Sequence, residues 1–228
     1  MTGGGKGIGA AVCARFAGER VVSVGRTPGE VDTVCDVTDE AAVAALFDRV
    51  GPVDVLVNNA GVAESATLGR TTLEDWRRQL DVNATGAFLC TRAVVPGMVE
   101  RGAGRVVTVA STAGLVGARY TAAYTASKHA AIGLMRAVAA EVAGTGVTAN
   151  AVCPTFVRTP MTERTLERIS EKTGGSREDA LAALEASTPL GRLLEPSEVA
   201  EAVWYLGSDE AAAVNGQALV LAGGAVQS

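Results

Sequence analysis

The chain has 228 residues and carries 20 Lys and Arg against 25 Asp and Glu, which gives a net charge of −5. Its length suits a single domain, and its 48% of apolar residues can build a large core, which excludes a disordered chain. An acidic chain without a basic block argues against nucleic acid as a partner. The sequence has no run of about 18 apolar residues, so no membrane span and no membrane partner are predicted.

Histidine and cysteine usage limits the possible chemistry. His129 is the only histidine, which excludes a zinc site built on several histidines, and we predict no metal site. Cys13, Cys35, Cys90 and Cys153 show no CxxC spacing, so a zinc ribbon or a redox pair is unsupported. Two disulfides remain possible, but a domain with an ample core favours free thiols in a reducing compartment. We therefore expect a cytoplasmic protein.

Val-rich segments alternate along the chain with segments of helical periodicity. The predicted strands cover residues 20–25, 31–35, 53–57, 105–110, 147–152 and 218–221, and the predicted helices cover 7–18, 38–50, 72–101, 121–143, 159–187 and 196–206. Pro96 and Gly97 are expected to kink the helix over 72–101 or to end it early. The alternation predicts one domain with a parallel sheet covered by helices on both faces. Ligands of such sheets bind at the carboxyl ends of the strands.

The N-terminal segment TGGGKGIG, residues 2–9, is a glycine-rich turn that leads into a predicted helix. Glycines let the backbone turn sharply and approach a phosphate, and the helix N-terminus offers free N–H groups and a positive dipole end. The segment has no GKS or GKT, so it is not a P-loop. An ordinary glycine turn is the alternative interpretation.

The residues that follow the strand over 20–25 bear on the choice of dinucleotide. An acid at this place favours NAD, whereas a basic residue accommodates the 2′-phosphate of NADP. This chain has Arg26 and Thr27 there and no acid, and Lys6 can add a second positive charge. The sequence therefore favours NADP(H), with NAD(H) possible and two plain surface cations as the alternative.

Tyr124 and Lys128 have the i, i+4 spacing that places two side chains on one helix face. An ammonium beside a phenol is expected to lower the phenol's pKa from about 10, which makes the tyrosine an acid or base near neutral pH. Ser111 follows the strand over 105–110, so its hydroxyl should reach the same edge of the sheet. Taken as isolated residues, a helix-surface Tyr–Lys pair and a loop serine are the favoured interpretation. His129 is expected to be a packed helix residue.

These motifs occur in an order that resembles the pattern of a known protein family. TGGGKGIG, NNAG at residues 58–61, Asn83 in DVNATGAF, Ser111 and the YxxxK of Tyr124 and Lys128 occur in sequence over almost the whole chain. The chain resembles the short-chain dehydrogenase/reductase family in its single-domain form, and looks most like 3-oxoacyl-carrier-protein reductases of bacteria and aromatic polyketide ketoreductases. This resemblance implies a doubly wound α/β fold of the Rossmann type and NADP(H)-dependent reduction of a ketone to a secondary alcohol, or the reverse.

The resemblance also implies catalytic roles. Tyr124 would protonate the carbonyl oxygen as hydride arrives from the nicotinamide, and Ser111 would orient that carbonyl. Lys128 would bind the nicotinamide ribose and depress the pKa of Tyr124. Asn83 would hold a water molecule that links Lys128 to solvent. Its alternative role is to satisfy hydrogen bonds at a break in the long helix.

Cofactor contacts are implied for residues that match the family's motifs. Asp36 and Val37 would flank the adenine, Asn58, Ala60 and Gly61 would line the ribose and diphosphate, and Thr159 would contact the carboxamide or the diphosphate. The full expected set is Gly3, Gly5, Lys6, Gly7, Ile8, Gly9, Arg26, Thr27, Asp36, Val37, Asn58, Ala60, Gly61, Pro154, Val157 and Thr159.

The substrate side is less well defined by the sequence. Residues 155–194 are expected to form a lid, and the expected apolar lining is Leu115, Val116, Tyr120, Phe156 and Met161. This set suits a small-molecule ketone or alcohol. Four arginines, Arg77, Arg78, Arg101 and Arg105, are candidates to meet an acidic carrier protein, with salt-bridged surface as the alternative. The family resemblance further implies a homotetramer built on the helices over 72–101 and 121–143.

Two other functions stay open: an NAD-dependent alcohol or hydroxy-acid dehydrogenase, and a non-catalytic protein that senses the cofactor. Three departures from the family pattern also stand out. Thr155 follows Pro154 where the family usually has glycine. The link between Arg26 and Val31 is too short for the usual helix, so that edge of the sheet should be thinly covered. The strand that normally precedes the glycine loop is missing, and we expect the natural protein to have residues upstream of Met1.

Overall fold

The computed structural model describes residues 1–227, which contain six strands and eight α-helices. The strands are β1 (Val24–Gly25), β2 (Thr33–Val34), β3 (Val55–Asn58), β4 (Gly104–Val109), β5 (Val147–Pro154) and β6 (Ala218–Leu221). The helices are α1 (Gly7–Arg15), α2 (Glu40–Val50), α3 (Leu73–Leu80), α4 (Gly86–Arg101), α5 (Ala122–Glu141), α6 (Pro160–Thr173), α7 (Arg177–Ala186) and α8 (Pro196–Gly207).

The strands pair in parallel, in the order β3-β4-β5-β6 for one sheet and β1-β2 for a second, smaller sheet. Every residue of β4 and β5 is buried, which is the pattern of strands covered on both faces. Successive residues of β4 point to opposite sides, so Val106 packs with α2, α4 and α5 and Val107 packs with α1 and α8. The predicted doubly wound α/β fold of the Rossmann type is confirmed.

Met1 and Thr2 occupy the position between β1 and β3. The N–H of Thr2 donates to the Val57 carbonyl at 3.0 Å, and the N–H of Val24 donates to the Met1 carbonyl at 2.8 Å. The Met1 amine donates to the Val22 carbonyl at 3.0 Å. These two residues therefore join the two sheets. The predicted strand over 20–25 shortens to Val24–Gly25.

A tight turn, rather than a helix, connects β1 to β2. Pro28 and Gly29 form its centre, Gly29 has φ of 82°, and the N–H of Glu30 donates to the Thr27 carbonyl at 3.3 Å. Proline at the second position and a positive-φ glycine at the third are the signature of a type II turn. The short link predicted from the sequence is confirmed, and Val34 on the outer strand is 51% exposed.

The predicted helix over 72–101 is interrupted at Asn83, where the sequence analysis gave a break only as the alternative role of that residue. A π-helical turn over Asp81–Thr85 separates α3 from α4, whereas α4 runs through Pro96 to Arg101. The expectation that Pro96 ends the helix early is wrong. Proline has no N–H to donate to the Arg92 carbonyl, but both residues are exposed, so water can reach the freed oxygen.

The segment over 155–194 forms two helices with an apolar cluster of its own. Leu166 of α6 packs with Ala180 and Leu184 of α7, and Leu193 completes the cluster. Ser176 caps α7 with a reciprocal hydrogen-bond pair to Asp179. The predicted polar helix over 159–187 is thus two helices. They pack against each other, and α6 begins just after the loop that follows β5. None of the helices in residues 1–227 is long and apolar enough to cross a membrane.

Candidate active site

The glycine-rich turn wraps around the N-terminus of α1. Gly3 and Gly7 adopt positive φ of 66° and 56°, and Lys6 begins the helix in an extended conformation without a side-chain cap. A Cβ on Gly9 would lie 1.9 Å from the Gly3 carbonyl oxygen, so the turn and the helix touch without room for a side chain. The first N–H groups of α1 therefore face a backbone cradle of the kind that holds phosphate.

Replacing Gly9 with alanine is expected to destabilise the fold by about 1–3 kcal/mol, because its methyl group would have to displace the Gly3 backbone. That corresponds to a drop in Tm of at least about 3 °C for a chain of this size. Thermal unfolding measures it, with Gly18→Ala as the matched control, since a Cβ on Gly18 meets nothing within 4 Å. Equal Tm values for the two variants would contradict this packing.

An open cleft of about 540 Å³ begins at the cradle and follows the carboxyl edge of the sheet. Residues from the glycine turn, from the ends of β1 to β3 and from the start of α6 share it. Of the expected cofactor residues, it is lined by Gly3, Gly5, Lys6, Gly7, Ile8, Arg26, Thr27, Asp36, Val37, Ala60, Gly61 and Thr159. Twelve positions that are scattered over 157 residues of sequence thus form one surface.

The remaining four expected cofactor residues lie outside this cleft lining. Asn58 is buried and its amide donates to the Thr91 hydroxyl at 2.9 Å, so it serves the core. Val157 is a buried core residue, Pro154 pairs in the sheet, and Gly9 packs against the turn. These corrections have one cause: a motif match locates a loop but does not show which of its side chains point inward.

The cleft also contains residues that the sequence analysis did not assign to the site: Gly25, Glu30, Val31, Cys35, Asn59, Val62, Val82, Pro160 and Arg164. Asn59 is the most informative of them, because its amide donates to the carbonyls of Thr2 and Gly3, both at 3.0 Å. It thereby fixes the glycine turn. The doubled asparagine of the NNAG segment was the available signal, and the sequence analysis singled out Asn58 instead.

The cleft fits a dinucleotide. The cradle of glycines and the free N-terminus of α1 suit a diphosphate, and Lys6 and Arg26 bring positive charge to the β1 end of the cleft. Asp36 is held in place by hydrogen bonds from the backbone and hydroxyl of Thr38. These bonds, together with Arg26, lower the pKa of its carboxyl below the ordinary value.

Ser111, Tyr124 and Lys128 come together at the carboxyl end of β4. Ser111 follows that strand and accepts a hydrogen bond from the Ala113 N–H at 3.1 Å. Lys128 lies one helical turn after Tyr124 on α5, and its Nζ is 5.8 Å from the centre of the tyrosine ring. The Lys128 ammonium donates to the Val109 carbonyl at 2.9 Å. The structure therefore places the three side chains as the i, i+4 spacing and the strand end predicted.

This group adjoins the cleft through Gly61. A Cβ on Gly61 would lie 3.7 Å from Lys128 Nζ and 3.2 Å from Asn83 Oδ1. A side chain at this position would lie between the cleft and the lysine, and its Cβ would already be tight against Asn83. A dinucleotide that ran from the glycine cradle past Gly61 would thus bring its far end to Lys128 and Tyr124.

Asn83 lies in the π-helical turn, where such irregular turns often mark functional sites. Its amide donates to the Val62 carbonyl at 2.9 Å and to the Ser127 hydroxyl at 2.8 Å, and its oxygen accepts from the Val62 N–H at 2.8 Å. The side chain thus ties the loop after β3 to helix α5. Both amide hydrogens are used, so a water relay would have to use another atom of this residue.

The ionisation of the pair differs from the sequence expectation. Burial raises the pKa of the Tyr124 phenol above its ordinary value, and hydrogen bonding to the Ser111 side chain opposes that shift. Burial lowers the pKa of the Lys128 ammonium to about 8. The prediction that Lys128 lowers the pKa of Tyr124 is wrong in this structure, because the ammonium bonds to the Val109 carbonyl and burial dominates. Tyr124 is therefore protonated at neutral pH, the form that can donate a proton.

The expected substrate residues separate into different environments. Met161 lines the dinucleotide cleft, and Tyr120 lines a second cavity of about 290 Å³ that includes Arg168 and Lys172 of α6. Tyr120 also adopts φ of 66°, a strained value for a side chain of this size. Phe156 and Val116 are exposed by 38% and 45%, and Leu115 packs against the core instead.

The four arginines proposed to meet a carrier protein are mostly engaged. Arg105 is buried and donates to the carbonyls of Gly104, Gly146 and Ser208. Arg78 pairs with Glu64 and Asp75, and Arg101 donates to the Val53 carbonyl. Salt-bridged surface, the alternative interpretation, describes Arg78, and Arg105 is a structural residue.

Comparison with known proteins gives a consistent result. Residues 5–226 match the family model described as Enoyl-(Acyl carrier protein) reductase. A Streptomyces coelicolor protein, named provisionally as a ketoacyl reductase, is 46% identical over 196 residues, which are 83% of this chain and 75% of that protein. The 3-oxoacyl-[acyl-carrier-protein] reductase FabG of Thermotoga maritima is 40% identical over 204 residues, 87% of this chain and 78% of that protein.

Among solved structures, a variant of actinorhodin polyketide ketoreductase with NADPH superposes with a TM-score of 0.91. It is 41% identical, and the match covers 98% of this chain and 95% of that chain. The fold, the order of the motifs and these identities agree with one another. The chain belongs to the short-chain dehydrogenase/reductase family of oxidoreductases.

Proposed function

We propose that this protein reduces a ketone to a secondary alcohol with NADP(H), or catalyses the reverse reaction. The observation that carries the proposal is the meeting of Ser111, Tyr124 and Lys128 at the carboxyl end of β4, where Lys128 lies next to Gly61 of a cleft that fits a dinucleotide. A cofactor-sensing protein would need the cleft but has no use for a protonated tyrosine, a serine and a lysine at its end.

The bound nicotinamide supplies the hydride. Tyr124 Oη donates its proton to the carbonyl oxygen of the substrate, and the Ser111 hydroxyl holds that oxygen in place. Lys128, whose ammonium donates to the Val109 carbonyl, would hold the nicotinamide ribose. Asn83 positions the loop after β3 against α5 through Val62 and Ser127. Solvent returns a proton to Tyr124 by a relay along Lys128.

The preference for NADP(H) is supported by Lys6 and Arg26, which both line the β1 end of the cleft. The actinorhodin ketoreductase structure, which contains NADPH, shows that a protein 41% identical to this one binds that cofactor. A phosphate beside two cations gains charge-assisted hydrogen bonds that the 2′-hydroxyl of NAD(H) cannot provide.

The substrate is proposed to be a 3-oxoacyl or polyketide-like carbonyl compound, free or bound to a carrier protein. Support comes from relatives named as ketoacyl and 3-oxoacyl-[acyl-carrier-protein] reductases. Residues 155–194 would act as the lid, because α6 contributes Met161 to the cleft and Arg168 and Lys172 to the adjoining cavity.

We also propose a cytoplasmic homotetramer. The four cysteines are free thiols, which suits a reducing compartment. On α4, Phe88 and Val99 are exposed by 41% and 37%, so this helix presents apolar side chains that a second copy could cover. Sedimentation of the purified protein at micromolar concentration tests the tetramer, and a monomer would contradict it.

An NAD-dependent alcohol dehydrogenase is the second candidate. It is favoured by one observation: Lys6 already forms an ion pair with Glu30 inside the cleft. A carboxylate in this region is the usual partner of the ribose hydroxyls of NAD(H). The two candidates share their catalytic residues and differ in cofactor and direction.

Parallel calorimetric titration with NADPH and NADH tests the proposal, followed by steady-state assays on the loaded enzyme. We expect micromolar binding of NADPH and turnover of a 3-oxoacyl thioester, with no turnover of a 2-enoyl thioester as the matched control for double-bond reduction. Binding without turnover of any ketone or alcohol would favour a cofactor sensor. Binding of neither cofactor would contradict the proposed function.

A further inference from the structure

The turn over residues 27–30 brings a carboxylate to the dinucleotide cleft. Because Pro28 and Gly29 reverse the chain within four residues, Glu30 folds back over the glycine turn. Its carbonyl oxygen would lie 3.0 Å from a Cβ on Gly5, and its own Cβ would lie 3.1 Å away. The position of Glu30 is therefore fixed by backbone packing and not only by its flexible side chain.

Glu30 forms an ion pair with one of the two cations that the sequence analysis assigns to the 2′-phosphate. Lys6 Nζ lies 3.0 Å from Glu30 Oε2 and 3.3 Å from Oε1, and both residues line the cleft beside Arg26 and Thr27. Arg26, the second cation, lies near the carboxyl of Asp36 and acts on its charge. Each cation at this end of the cleft thus has an acidic neighbour before any cofactor binds.

We propose that Glu30 sets the cofactor selectivity of this enzyme by weakening its affinity for the 2′-phosphate. A 2′-phosphate must take Lys6 away from Glu30 and then remain beside a carboxylate of the same sign. The same carboxylate can accept a hydrogen bond from the 2′-hydroxyl of NAD(H), so Glu30 narrows the preference for NADP(H) that Lys6 and Arg26 create. This inference rests on the proposed function, because it needs a dinucleotide in the cleft.

Calorimetry with NADPH and with NADH on the wild-type chain, Glu30→Gln and Glu201→Gln tests the inference. Glu201 is the matched control, since it forms an exposed ion pair with Arg15. We expect Glu30→Gln to tighten NADPH binding about tenfold, the scale of one charge-assisted hydrogen bond, and to leave NADH binding equal or weaker. Glu201→Gln should change neither.

A second variant separates competition for Lys6 from a general effect of charge. In Lys6→Met, the additional change Glu30→Gln should alter NADPH affinity by less than about threefold, because the ammonium for which Glu30 and the 2′-phosphate compete is absent. If Glu30→Gln binds NADPH no more tightly than Glu201→Gln does, the role of Glu30 is refuted while the proposed function stands. If no variant binds either cofactor, the proposed function fails, and the role of Glu30 fails with it.

Discussion

Replacing Tyr124 with phenylalanine is expected to lower kcat for ketone reduction by about a thousandfold, within the range that general acid catalysis contributes. The phenol is the protonated group at the end of the cleft, because burial raises its pKa above the ordinary value. The ring itself packs on α5 and would keep its place beside Lys128. Cofactor affinity should therefore stay within about twofold of the wild-type value, since the glycine cradle and Gly61 are unchanged.

Two measurements check this expectation. Steady-state kinetics gives kcat, and calorimetry with NADPH shows that the variant still forms the complex. Tyr205→Phe is the matched control, because Tyr205 is a 44% exposed tyrosine on α8 and does not belong to the group of Ser111, Tyr124 and Lys128. Full activity in the Tyr124 variant would refute the assigned acid. Loss of activity together with loss of NADPH binding would instead assign Tyr124 to the binding site.

The central strands β4 and β5 were predicted well because their burial is symmetric. β4 and β5 are apolar along their whole length because helices cover both faces, and a continuous Val-rich run signals that environment directly. β1 and β2 were predicted at five to six residues and have two each, because strand length depends on the neighbouring strand. Pairing of this kind is not encoded in the residues of one strand.

The two errors in the long helix have different physical causes, one at Pro96 and one at the π-helical turn. Proline predicts an end because it removes a hydrogen bond, but at an exposed position such as Pro96 water compensates for the loss. A π-helical turn needs no proline or glycine, and the one over Asp81–Thr85 is stabilised by long-range bonds from Asn83 to Val62 and Ser127. Those partners are distant in sequence, so periodicity could not have indicated them.

For the site, the sequence identified the correct loops but did not show which way their side chains point. Ser111, Tyr124 and Lys128 were predictable because a strand end and an i, i+4 spacing fix their geometry. Asn58 was chosen over Asn59 because neighbouring residues point in opposite directions and the motif does not show which one faces the cleft. Glu30 was missed although Pro28 and Gly29 signal a reversing turn, since the ion pair with Lys6 exists only once that turn is folded.

The titration of Lys128 leads to a second large expected effect, on the pH dependence of catalysis. Burial lowers the pKa of the ammonium from 10.5 to about 8, so the charged form dominates below that pH and is lost above it. If the ammonium binds the nicotinamide ribose, kcat/KM for NADPH should be flat below about pH 8 and fall about tenfold per pH unit above it. At pH 10 the loss should reach about a hundredfold.

Lys128→Arg and Lys128→Met separate this group from others that titrate nearby. Guanidinium stays charged throughout this range, so the arginine variant should lose the alkaline fall even if its overall rate is low. The unfolded chain binds the lysine proton up to about pH 10.5 and the native chain only up to about pH 8, so this group's contribution to stability rises between those values. The stability of the wild-type chain relative to Lys128→Met should therefore increase by up to about 3 kcal/mol over that interval. If kcat/KM of the arginine variant still falls at alkaline pH, another residue titrates there. That result would also contradict the role of Lys128 in holding the ribose.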